Sequence, residues 1–161
     1  MKLVDTNVWL ALVLSKHDFH SAARDWLATE TSPKSIAFCR ATQQSFLRLL
    51  TTKALMGQYG NPPLSNAEAW NLCERLLADS RISLVDEPAG LNAHWKTLGG
   101  CATASPKLWM DAYLAAFAIA GGHLLVTTDN DFKQFANLNC LILSNAKIPT
   151  QPDTAKPTDK A

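Results

Sequence analysis

MKLVDTNVWLALVL, residues 1–14, decides the fold. Lys2-Leu3-Val4 is a short apolar run stopped by Asp5, and Asn7 to Leu14 then carries its apolar residues at helical spacing. A strand that opens the chain and passes directly into a helix is expected at the centre of a sheet.

Outward from there the alternation repeats. His17 to Ala28 puts Phe19, Ala22, Ala23, Trp26 and Leu27 at helical spacing, and Ser35-Ile36-Ala37-Phe38 follows as a second strand. Phe46, Leu47, Leu49, Leu50 and Leu55 predict one long helix from Ala41 to Met56, closed by Gly57 and by Gly60-Asn61-Pro62-Pro63. Ser65 and Glu68 have the spacing of a capping box, which starts a helix that ends near Asp79. Arg81 to Val85 is a third strand, and Pro88 stands at the first position of a helix ended by Gly99-Gly100. Ser105-Pro106 opens the clearest helix, which runs through LWMDAYLAAFAIA to Gly121-Gly122. Leu124 to Val126 is a fourth strand, Asp131 to Phe135 a helical turn and Cys140 to Leu143 a fifth strand. The expected fold class is α/β: a small parallel sheet of about five strands with helices on both faces, in three layers.

A chain of 161 residues, 47% hydrophobic and 18% charged, fits one globular domain rather than a disordered segment. That domain is expected over residues 1–148. A flexible tail is expected over 149–161, because TQPDTAKPTDKA contains no large apolar residue. A formal net charge of +1 excludes a protein that grips nucleic acid by bulk electrostatics, so any such contact has to be local. Cys39, Cys73, Cys101 and Cys140 form no Cys-x-x-Cys pair and read as reduced, mostly buried thiols. The N-terminus lacks the pattern of a secretory signal and no apolar run reaches about 18 residues, which implies a cytoplasmic protein without membrane association.

Most of the 14 acidic residues lie where charge is cheap. Asp25, Glu30, Glu74 and Asp79 fall near helix surfaces or ends, and Asp153 and Asp159 in the tail. Asp5, Asp111 and Asp129 differ, because each is set among apolar neighbours where an unpaired carboxylate is costly. Asp5 and Asp129 end strands, on the edge of a parallel sheet where ligands bind. Each could serve merely as a helix cap. Asp111 lies inside an otherwise apolar helix and has no capping role in this reading. Three converging carboxylates repel one another unless protons or a cation relieve them, and hard oxygen donors suit Mg²⁺ or Mn²⁺ rather than zinc.

Other patterns are weaker. His17 and His20 lack a third ligand and read as surface residues. No Gly-x-Gly-x-x-Gly, phosphate-binding loop or Gly-x-Ser-x-Gly elbow is present. Cys39 reads as structural, and Trp9, Trp26, Trp70, Trp95 and Trp109 fit core and interface packing better than base stacking.

LVDTNVWLAL (3–12), WMDAYLAAFA (109–118) and LLVTTDNDF (124–132) together resemble the PIN-domain ribonucleases, and within them the VapC-type toxins of bacterial toxin-antitoxin pairs. The resemblance covers roughly residues 1–145 and implies a PIN-like fold and metal-dependent RNA cleavage. It places the catalytic set at Asp5, Asp111, Asp129, Asp131 and Thr127, with Mg²⁺ or Mn²⁺ held by Asp5, Asp111 and Asp129. Asn7 matches the polar residue after the first acid. The family's usual Glu early in the helix after the second strand is missing, and RATQQSFLRLL (40–50) offers Gln43, Gln44 and Ser45 instead. The resemblance also implies a small cognate antitoxin and a homodimer as partners of an enzyme whose substrate is RNA.

Arg40, Arg48 and Lys53 are the candidate phosphate contacts on the third helix. Two rival readings remain: an inactive PIN module that only binds a partner, and a haloacid dehalogenase-like phosphatase. The latter needs a second acid two residues after the first, where this chain has Asn7.

Overall fold

The computed structural model describes residues 1–145. Five strands, β1 (Lys2–Val4), β2 (Ile36–Cys39), β3 (Ile82–Val85), β4 (Leu124–Thr127) and β5 (Cys140–Ile142), form one sheet in the order β3-β2-β1-β4-β5. Every adjacent pair is parallel. The strand that opens the chain is therefore central, as its position in the sequence implied.

Helices α1 (Thr6–Val13), α2 (His20–Thr29), α3 (Arg40–Leu50), α4 (Lys53–Gln58) and α5 (Asn66–Leu77) connect β1 to β2 and β2 to β3. Helices α6 (Leu91–Gly99) and α7 (Leu108–Gly121) return the chain to β4, and a 3-10 turn (Asn130–Gln134) leads to β5. Alternation along the strands divides the core into two layers. Val4, Ile36, Phe38 and Val126 pack with residues of α1, α2, α3 and α5, whereas Leu3, Ala37, Cys39 and Leu125 pack with α6, α7 and the 3-10 turn. Three layers result, with the sheet in the middle.

Three boundaries differ from expectation for local reasons. The helix expected over 41–56 is two helices, because the hydroxyls of Thr51 and Thr52 donate back to the carbonyls of Leu47 and Arg48 and break the ladder between Leu50 and Lys53. Pro88 does not start α6: Gly90, at φ +83, turns the chain and the helix begins at Leu91. Ser105 does not cap α7, since its carbonyl accepts from the amide of Leu108 in a preceding turn. The Ser65 capping box is present, with the Ser65 hydroxyl accepting from the Glu68 amide (3.2 Å) and Glu68 accepting from the Ser65 amide (2.8 Å). The expected tail, 149–161, lies outside the described residues.

Candidate active site

At the carboxyl edge of the sheet the chain leaves β1 towards β2 and leaves β4 towards β5, so a crevice opens between β1 and β4. Asp5 follows β1 directly and is only 8% exposed. It does not cap α1 with its side chain. Instead its carboxylate accepts a 2.7 Å hydrogen bond from the hydroxyl of Thr127, the fully buried last residue of β4. The same Thr127 oxygen accepts from the Asp129 amide (3.0 Å) and from the Asn7 side-chain amide (3.3 Å). Asn7 also accepts from the Thr128 amide. Thr127 and Asn7 thus staple the loop after β4 to the start of α1, fixing two acids relative to one another.

Asp129 caps the 3-10 turn, accepting from the Asp131 amide at 2.8 Å, and leaves Asp131 exposed at the mouth. Asp111 reaches the same edge because a helix that feeds a parallel strand runs antiparallel to it, which puts the N-terminus of α7 beside the carboxyl ends. With α7 starting at Leu108, Asp111 falls in the first turn rather than deeper in the helix, where the helix dipole favours its charge.

The acids feel one another. Burial pushes the Asp5 carboxyl up to about 6; repulsion from Asp111 and Asp129 adds to this, and the Thr127 hydrogen bond opposes it. Asp111 is raised as well, first by burial and then by Asp129 and Asp131. The salt bridges among the described residues, Lys2–Glu30 and Arg81–Asp79, lie elsewhere, so the cluster has no countercharge from them. No group of three or more His, Cys, Asp or Glu among the described residues is drawn together into a ready metal cage.

Of the residues offered in place of the family's Glu, Gln43 is buried and committed: its carbonyl accepts from Arg40 and its amide donates to the Cys73 thiol at 3.5 Å. Ser45 is half-buried and Gln44 is exposed. The candidate phosphate contacts separate. Arg40 begins α3 at the carboxyl edge, but α3 runs away from it, leaving Arg48 about 12 Å further along. Arg48 lines a different depression with Leu47, Thr51 and Trp70, and Lys53 belongs to α4.

His17 and His20 are half-buried rather than surface residues. Nδ1 of His17 accepts from the Phe19 amide, and Nδ1 of His20 pairs with the Ala11 carbonyl. All four cysteines are free; Cys39 and Cys73 are buried, whereas Cys101 is exposed. Glu87, whose carboxylate accepts from the Tyr113 hydroxyl at 2.9 Å, was not a sequence candidate. It follows β3 by two residues and so falls on the carboxyl edge, but only the packing of α7 brings the Tyr113 hydroxyl to it.

Fold and site together define a class. The PIN domain profile matches residues 2–138, and the chain belongs to the PIN domain family. Within it the chain is similar to ribonuclease VapC41 of Mycobacterium tuberculosis, with 52% identity over 145 residues, 89% of this chain and 99% of the relative. It also resembles ribonuclease VapC29 of the same organism, at 46% identity over 128 residues, covering 80% and 85%. In structure it matches VapBC2 from Rickettsia felis bound to a promoter DNA fragment, with a TM-score of 0.62 over 89% of this chain and 98% of that one at 17% identity. That likeness shows the fold.

Proposed function

We infer that the chain is a VapC-type ribonuclease toxin of the cytoplasm that hydrolyses RNA phosphodiester bonds with the help of Mg²⁺ or Mn²⁺ held by Asp5, Asp111 and Asp129. The observation that carries this reading is Asp5, a carboxyl that burial and the neighbouring acids drive up to about 6 and that makes no ion pair among the described residues. The 52% identity to a named ribonuclease supports it. Carboxylates with a nearby hydroxyl form a hard oxygen donor set, which fits a divalent cation.

A cation there would stabilise negative charge on the reacting phosphate and polarise the attacking water. The chain's own residues do the rest. Thr127 orients Asp5 through its hydrogen bond, the turn at Asp129 fixes that carboxylate, and Asp129 and the exposed Asp131 would complete the metal's shell or activate the water. A small antitoxin and a second copy of the chain complete the reading as partners, on the strength of the family resemblance.

The purified protein is expected to cut single-stranded RNA with Mn²⁺ or Mg²⁺ and not in EDTA. Asp111→Asn should lower the rate by about a hundredfold or more while leaving the circular dichroism spectrum unchanged, consistent with loss of a group that acts as part of a unit. RNA left intact by folded wild-type protein at every cation tested would select the inactive-module reading.

A further inference from the structure

α7 turns Asp111 towards Asp5 and Asp129, while the other side of its first turn overlooks the ends of β2 and β3. There Arg40, Gln44, Glu87, Trp95, Trp109 and Tyr113 line an open depression of about 460 Å³. Its rings are held in place. Nε1 of Trp95 donates to the Trp109 carbonyl (3.1 Å), and the Tyr113 hydroxyl donates to Glu87 (2.9 Å). Trp95 stands edge-on to both neighbours, at 88° to Trp109 and 81° to Tyr113. The indole of Trp109 lies against Gly99, where a Cβ would approach it to 3.3 Å.

Trp109 nevertheless remains 55% exposed and Met110 41%, on a helix whose next seven residues beyond Asp111 are buried. Fixed aromatic surface left open to solvent marks a binding site rather than core. What it would bind follows from the polar groups around it. Arg40 is steadied by the buried Gln43 and makes no ion pair among the described residues. Beside it stand the Gln44 amide and the Glu87 carboxylate. A cation for a phosphate, rings for a base face, and an amide with a carboxylate for a base edge are the requirements of a nucleotide. An aliphatic anchor from a protein partner would leave all three polar groups unused.

Position agrees. The midpoint between the ends of β2 and β3 lies two strand spacings, about 10 Å, from the midpoint between those of β1 and β4, a gap that adjoining nucleotides of an unstacked strand span. We propose that this depression is a base-binding subsite, in which an unpaired nucleobase of the RNA packs on Trp109 beside Trp95 while Arg40 takes the flanking phosphate. The proposal rests on the ribonuclease reading above and deepens it: selection among RNA strands would act through this pocket.

The test is anisotropy of labelled hexaribonucleotides, the four homopolymers and an abasic sugar-phosphate hexamer, with full-length protein carrying Asp5→Asn so that the strands stay intact. At least one base-bearing hexamer should bind about fivefold or more tighter than the abasic one. Adding Trp109→Ala should abolish that preference, Trp109→Phe should keep most of it, and Arg40→Ala should weaken every hexamer. Base preference that survives Trp109→Ala in a folded protein overturns the subsite, while cleavage by the wild type leaves the ribonuclease reading standing. Absence of both cleavage and RNA binding overturns the two together. Unchanged RNA binding by Trp109→Ala, with loss of dimer or of a co-expressed protein partner, would make the depression a protein-docking surface and likewise overturn the proposal.

Discussion

The 2.7 Å hydrogen bond from Thr127 to Asp5 joins two residues 122 positions apart and sets the character of the site. It steadies a carboxylate that burial and two further acids work against. A carboxyl raised from 3.8 to about 6 on folding costs the charged native state roughly 3 kcal/mol at neutral pH. The sign follows from proton binding: between about pH 4 and 6 the native protein holds more protons than the unfolded chain, so its stability rises as pH falls through 6. In EDTA, urea unfolding of wild type should show that rise, and Asp5→Asn should lack this component while exceeding wild type in stability at pH 8. A variant no more stable than wild type at pH 8 would mean that Asp5 is not held in a strained charged state. The same substitution should abolish RNA cleavage, the combination expected where stability is given up for a reactive site.

At the scale of elements, α7 matters most, because it carries Asp111 at one end and feeds β4 at the other. Its C-terminus closes on Gly122 in the left-handed region at φ +62, followed by a bond from the His123 amide to the Ala118 carbonyl (2.8 Å). A Cβ at Gly122 would meet nothing within 4 Å, so only backbone strain opposes a side chain there. Gly122→Ala is expected to cost about 1–2 kcal/mol in chemical denaturation, with cleavage chemistry unchanged. A neutral effect would show that the turn relaxes freely. The paired glycines and the apolar run made this helix legible in the sequence. Its start was misplaced by the Ser105-Pro106 signal, because a turn and an N-cap share the same residues and only the observed backbone bond to Leu108 separates them.

For the whole molecule, a cation that binds the native acids and not the unfolded chain must raise thermal stability. Millimolar Mn²⁺ should raise the melting temperature of wild type and leave that of Asp5→Asn or Asp111→Asn unmoved; equal shifts in all three would place the cation elsewhere. Co-expression with the product of an adjacent small gene should yield a complex with suppressed RNA cleavage, and size-exclusion chromatography should show the free chain as a dimer. A monomer that binds no such neighbour would argue against the toxin reading. The sequence by itself determined the parallel α/β architecture and the central first strand, because periodicity is a local signal; it also singled out Asp5, Asp111 and Asp129 as acids among apolar neighbours, while Asp131 and Thr127 became candidates only through the resemblance to the PIN-domain ribonucleases. Tertiary structure alone decided that Gln43 turns towards Cys73, that Arg48 leaves the crevice, and that Glu87 and three aromatic rings gather beside it. Those outcomes depend on which faces of α3, α6 and α7 meet across a sheet, and side chains far apart in sequence acquire a common edge only when the strands are laid side by side.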